Sequence, residues 1–171
     1  GAVRGVELGS FAFPDTDRGF IVLRDPDTGQ LTPAAVKSRT LEPSQRLSMS
    51  RTLLQYVLEK KQTVLSTDAM HDGRFEASET VQDLNLRSFM CAPLKHEEDI
   101  LGFISLDTQR VTPSYNKEAL GMLAAIANFA SLAIANTRLH YELMAQERIE
   151  QDLRNAHRIQ HSFLPQEPPD V

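Results

Sequence analysis

From Arg18 to Asp25 the chain reads RGFIVLRD, an apolar, β-branched run, and a second extended run follows from Leu31 to Arg39. Between them Asp25-Pro26-Asp27-Thr28-Gly29 supplies turn chemistry, so the pattern predicts a hairpin. After a polar stretch containing Pro43, the apolar positions Met49, Leu53, Leu54, Val57 and Leu58 fall on one helical face, with Ser48 or Ser50 as cap and Lys60-Lys61 suited to the C-terminal dipole. A short strand is expected from Thr63 to Ser66. The polar residues 67 to 75 show no periodicity and read as a loop, and Ser78 can cap a short helix reaching about Leu84. Ser88 to Lys95 and Ile100 to Asp107 form a second predicted hairpin around His96-Glu97-Glu98-Asp99.

From Lys117 to Leu164 the only glycine or proline is Gly121, which predicts one nearly continuous helix ended by Pro165. At 1.5 Å per residue it would run about 72 Å, several times the radius of gyration of about 14 Å expected of the globular part. Its first half is apolar almost all round, as a helix needs when it covers a sheet on one side and another subunit on the other. Beyond Asn136 it turns charged. Positions 139, 142, 146, 149, 153, 156, 160 and 163 step by three and four, with Leu139, Ile149, Leu153, Ala156 and Phe163 apolar and Glu142, Gln146 and Gln160 polar. Such a seam suits either a marginal coiled coil able to change register or a solvated helix.

Composition narrows the function classes. With 171 residues and 41% hydrophobic content, one core plus an appendage is expected. A formal charge of −5 gives no broad cationic field for phosphate backbones, so nucleic acid is not an expected partner. The longest apolar stretch, Leu120 to Ala135, is interrupted by Asn128 and Ser131, and no leader-like segment opens the chain, so no membrane is expected either. One cysteine, Cys91, excludes an internal disulfide or a CxxC pair and fits a reducing cytoplasm. Among the five histidines only His157 and His161 share a helical spacing, with no acidic base between them, so no metal site is expected. The opening Gly1-Ala2 and the proline-rich end read as cuts in a longer protein.

The order hairpin, helix, strand, loop with short helix, hairpin, long helix resembles a GAF domain over about residues 10 to 138. Asp17-Arg18-Gly19-Phe20-Ile21-Val22-Leu23, Val64-Leu65-Ser66-Thr67-Asp68-Ala69, Asp72-Gly73-Arg74-Phe75, Arg87-Ser88-Phe89-Met90-Cys91-Ala92-Pro93-Leu94 and Gly102-Phe103-Ile104-Ser105-Leu106-Asp107 look like that family's strand and loop signatures. The resemblance implies an α+β fold, PAS-related, with a central antiparallel sheet flanked by helices and a long C-terminal signalling helix. The expected domains are a GAF sensory domain at 1–138 with its N-terminal helix truncated, a linker helix at 139–164, and at 165–171 the start of a linker to an output domain. Ala156-His157-Arg158-Ile159-Gln160-His161-Ser162-Phe163-Leu164-Pro165 resembles the linker entering sporulation-stage-II-E type serine/threonine phosphatases. That resemblance implies a regulatory segment, itself not an enzyme, controlling a phosphatase beyond Val171.

A GAF domain holds its ligand between the sheet and the segment that here spans Thr67 to Leu86. The candidate ligand-binding residues are therefore Asp68, Asp72, Arg74, Phe75, Met90 and Asp107, for an unspecified small molecule and no fixed cofactor. A structural alternative stands beside this: Asp68 and Asp72 close turns, Arg74 pairs with one of them, and Phe75 plugs the core. Cyclic-nucleotide relatives carry an Asn-Lys pair on the last strand, whereas Asn116-Lys117 sits at the helix start, which argues against cyclic AMP or GMP. Bilin-binding relatives attach through a cysteine, but Cys91 lies mid-strand as a buried thiol would. Relatives that reduce free methionine sulfoxide work through a reactive cysteine with resolving partners, which one cysteine does not supply. A homodimer is expected through Leu123, Ile126, Ala130, Ile134, Leu139, Ile149 and Leu153, and a dimerisation module without a ligand remains an alternative.

Overall fold

The computed structural model describes residues 13–39, 50–75, 78–83 and 85–163. Expectations that fall on residues 3–12, Ser48, Met49, Leu84 and 164–171 lie outside them. Strands β1 (Arg18–Arg24) and β2 (Leu31–Ser38) form the first hairpin. The Asp25 carboxylate closes its turn by accepting from the Asp27 and Thr28 amides at 2.8 and 2.9 Å, and Gly29 takes the left-handed conformation at φ 72°. Helix α1 (Arg51–Lys60) follows, with Ser50 Oγ accepting from the Leu53 amide and Lys61 ending it in the left-handed region at φ 52°. Strand β3 (Val64–Ser66) leads through a 3₁₀ turn (Ala69–His71), which the unperiodic loop sequence did not announce, to α2 (Glu79–Asp83). Strands β4 (Ser88–His96) and β5 (Asp99–Thr108) form the second hairpin, and α3 runs from Lys117 to Phe163.

All neighbouring strands are antiparallel, in the order β2-β1-β5-β4-β3. The first strand thus lies beside the last, which pairs Arg18 with Asp107. The two edges are unlike: β2 carries Pro33 next to a register shift, and β3 is three residues long. Where β1 meets β5 the backbones approach closely, for a Cβ at Gly102 would lie 2.1 Å from the Val22 carbonyl oxygen.

Strand alternation splits the interior into two cores. Leu53, Leu54 and Val57 of α1 pack with Val64, Phe75, Val81, Phe89, Cys91 and Phe103 on one face. On the other, Ala119, Leu123 and Ala127 of α3 pack with Ile21, Met90, Ala92, Ile104 and Leu106. The result is an α+β fold with an antiparallel sheet between helical layers. The chain divides into two compact units, Gly1–Ala135 and Asn136–Val171. Helix α3 also contains an 18-residue window of mean hydropathy 1.6, apolar enough by length and composition to cross a bilayer. Of that window 22% is buried, and the stripe Ala119-Leu123-Ala127 covers one face of the sheet.

Candidate functional site

The loop between β3 and α2 is tied to itself by charge. The Asp72 carboxylate accepts from Ser66 Oγ at 2.8 Å, from the Arg74 amide at 3.1 Å, and from Arg74 Nε and Nη2 at 3.0 and 2.7 Å. Arg74 Nη2 also donates to the Leu65 carbonyl at 3.0 Å, fastening the loop to the edge strand. These Arg74 bonds, followed by that from Ser66, outweigh partial burial and hold the Asp72 carboxyl down at about 2. Asp68 accepts from Arg87 Nε at 3.3 Å and meets His71 Nδ1 at 3.1 Å.

Phe75 is fully buried, edge-on to Tyr56 and Phe89 with ring centroids 5.3 and 4.9 Å away. It fills the space between sheet and loop. Of the six candidate ligand residues, the structure brings Asp72, Arg74 and Phe75 together, with Asp68 at the start of the same loop. Met90 is corrected: it is buried on the α3 side of the sheet, one residue out of phase with Phe89 and Cys91, and cannot line a site with Phe75. Asp107 is also buried, and its carboxylate is forked by Arg18 through Nε at 3.0 Å and Nη2 at 2.7 Å. Burial pushes that carboxyl up, the Arg18 guanidinium opposes it without cancelling it, and the Asp17 charge adds a smaller upward push.

The Arg18 side chain lies over the Phe20 ring, 4.8 Å from its centroid, on the same sheet face as the Asp107 carboxylate. Sequence reasoning overlooked Arg18, although it shares the period-two parity of Phe20 and Val22 and so points into the core. Ser105, between Phe103 and Asp107 in that parity, is buried, and its hydroxyl has no hydrogen-bond partner among the described residues. Cys91 stands opposite Ser105 in the strand register, and burial pushes its thiol up to about 12, away from the nucleophilic thiolate.

A cleft of about 300 Å³ opens at the free edge of β3. Tyr56 and Lys60 of α1, Val64, Arg74, and Lys117 and Leu120 of α3 contribute to its wall. The sequence alone reads Lys60 as a helix-end cation and Lys117 only as half of an Asn-Lys pair, and it places neither in a site, because the residues come from three separated segments.

The candidate interface on α3 needs a second correction. Leu123 is completely buried against the sheet, while Ile126, Ala130 and Ile134 are half-buried against the same core. The residues that face away are Met122, Phe129 and Leu132, with Phe129 76% exposed. A helix apolar all round does not tell which stripe faces inward. Leu139, Ile149 and Leu153 are exposed.

The sheet order and its helical layers recur in solved structures. The photoproduct state of a GAF domain from Synechocystis superposes with TM-score 0.67 at 16% identity, over 82% of this chain and 94% of that one. A domain of a putative two-component sensor histidine kinase from Sinorhizobium meliloti gives 0.63 at 15% identity, over 84% and 94%. A type II free methionine-R-sulfoxide reductase from Thermoplasma acidophilum gives 0.59 at 16%, over 75% and 86%. No curated protein matches the sequence. The GAF domain family model matches residues 11–134, most of the chain, and with the five-stranded sheet and its flanking helices this places the protein in the GAF family.

Proposed function

We propose that this chain is the non-catalytic sensory segment of a larger regulatory protein, working in the cytoplasm as a homodimer and controlling a C-terminal output domain through α3. The observation that carries the reading is α3 itself: 47 residues without a break, starting against the sheet and continuing as a largely exposed helix rich in charge. On its outward side Met122, Ala125, Phe129 and Leu132 step by three and four, and the same stepping in sequence reaches Asn136 and Leu139. Large apolar residues exposed along one stripe favour a second copy as cover. A seam interrupted by Asn136, Glu142 and Gln146 suits two alternative packings, which a sensory input can bias.

The resemblance of Ala156 to Pro165 to a phosphatase linker supports a serine/threonine phosphatase as output. The sensor histidine kinase among the structural relatives is consistent with a signalling role at the level of fold. A reductase like the Thermoplasma relative is disfavoured, because Cys91 is the one cysteine and is buried. A dimerisation module without a ligand is a second reading, favoured by Phe75 occupying the space under the loop.

Light scattering over a concentration series tests the dimer. Wild type is expected to dimerise, and Ile149→Glu with Leu153→Glu to weaken it. Phe129→Glu reports on the proximal stripe. A monomer at every concentration would sink the reading. For the output, full-length protein should release phosphate from phosphoserine peptides, and the helix variants should change that rate.

A further inference from the structure

We propose that the cleft at the β3 edge is a binding site for a small phosphate-bearing anion with an apolar portion, and that it is the sensory input to α3. The site deepens the sensory reading and rests on it only for the consequence in α3; binding itself stands apart.

Three cationic residues from separate elements line it: Lys60 at the end of α1, Arg74 on the loop and Lys117 at the first residue of α3. Lys60 Nζ and the Arg74 guanidinium both lie over the Tyr56 ring, 5.9 and 5.7 Å from its centroid. Among the described residues that line the cleft, none is a carboxylate. Asp72 compensates Arg74, but among the described residues neither Lys60 nor Lys117 has an ion-pair partner. Two exposed lysines without an ion-pair partner beside the Arg74–Asp72 pair give the concavity a positive lining, which favours an anion there.

The Arg74 fork is fixed in advance by its bonds to Asp72 and Leu65, so little ordering remains to be done on binding. Val64, Leu120 and the Tyr56 ring give an apolar wall for the body of the ligand, and the volume is at the small end of ligand sites. The site lies at the sheet's edge, outside the space that Phe75 fills. Because Lys117 and Leu120 belong to the first turn of α3, an anion held there ties the start of that helix to α1 and the loop. That gives binding a direct mechanical route to the helix.

The test uses inorganic phosphate and pyrophosphate as probes, with affinity from calorimetry and location from amide chemical shifts. Wild type is expected to bind pyrophosphate saturably and more tightly than phosphate, with shifts around Lys60, Arg74 and Lys117. Lys60→Gln with Lys117→Gln should weaken binding at least about tenfold, as loss of charge-assisted bonds implies. Lys37→Gln with Lys95→Gln, which removes the same charge from β2 and β4, should leave binding unchanged. The proposal is overturned by no saturable shift up to about 10 mM, by equal losses in both double variants, or by shifts centred elsewhere. Light scattering of the same samples separates the two readings: binding by a monomer keeps the cleft and removes the dimer, whereas a dimer that binds neither probe does the reverse.

Discussion

Arg18 and Asp107 lie 89 positions apart in sequence, yet their side chains form a forked ion pair, 2.7 Å at its shortest, with side-chain exposures of 1% and 3%. The pair exists because the first strand is laid against the last. Asp107→Ala leaves the Arg18 charge buried without its counterion and should cost about 3–5 kcal/mol in urea unfolding, whereas Arg18→Met with Asp107→Leu should be much milder. Equal losses in the two variants would contradict this assignment.

Acid should weaken the loop through Asp72. Its carboxyl is held at about 2 against an ordinary 3.8, so the anionic form is favoured by folding. The stability this confers is fully present above 3.8 and is lost as the pH falls through about 2. Asp72→Asn removes the contribution, so the gap between wild type and variant in urea midpoint should close across that window. A gap that stays constant with pH would assign the loop's stability elsewhere.

Cys91 should be inert while the protein is folded. With the thiol fully buried and pushed up to about 12, labelling by iodoacetamide at mildly alkaline pH should await global unfolding. Labelling faster than unfolding would reveal an opening of the core beneath β4.

Gly102→Ala should destabilise the sheet where β1 meets β5. The added methyl would meet the Val22 carbonyl oxygen at 2.1 Å and the Leu23 Cα at 3.0 Å, both backbone atoms that cannot rotate away. A loss of about 1–3 kcal/mol is expected, read as a lower thermal midpoint. An unchanged midpoint would mean that the strands separate there at little cost.

The α1 cap is the mildest case. Ser50→Ala removes the acceptor for the Leu53 amide and a partner of Ser78 Oγ, at 3.2 and 2.8 Å. About 1 kcal/mol should be lost in urea unfolding. Ser50→Asp should retain the cap, and a loss as large as that of Ser50→Ala would point to the Ser78 bond instead.

The elements were legible because their patterns do not compete: RGFIVLR is a short apolar, β-branched run, TLLQYVLEK turns at helical spacing, and the turns carry Asp, Gly or adjacent charges. The loop's internal pairing, Asp72 with Arg74, was visible as the structural alternative, since the partners are two residues apart. Long-range relations were not. Arg18 meets Asp107 only through the strand order, and the cleft gathers Lys60, Arg74 and Lys117 from three segments. The choice of inward stripe on α3 was hidden by excess: where every side is apolar, only the packed sheet shows that Leu123 goes in and Phe129 stays out. Met90 failed differently, since a strand buried on both faces loses the alternation that assigns a side.

The two blunted borders of the sheet bear on how this chain meets its own kind. Pro33 deprives β2 of an amide, and β3 offers three residues, the Leu65 carbonyl of which is already taken by Arg74. Neither border is a good template for a further strand, so the route to runaway β-aggregation is obstructed at both ends. In the proposed dimer, self-recognition would then fall to the outer stripe of α3, where side chains rather than unpaired backbone would select the partner.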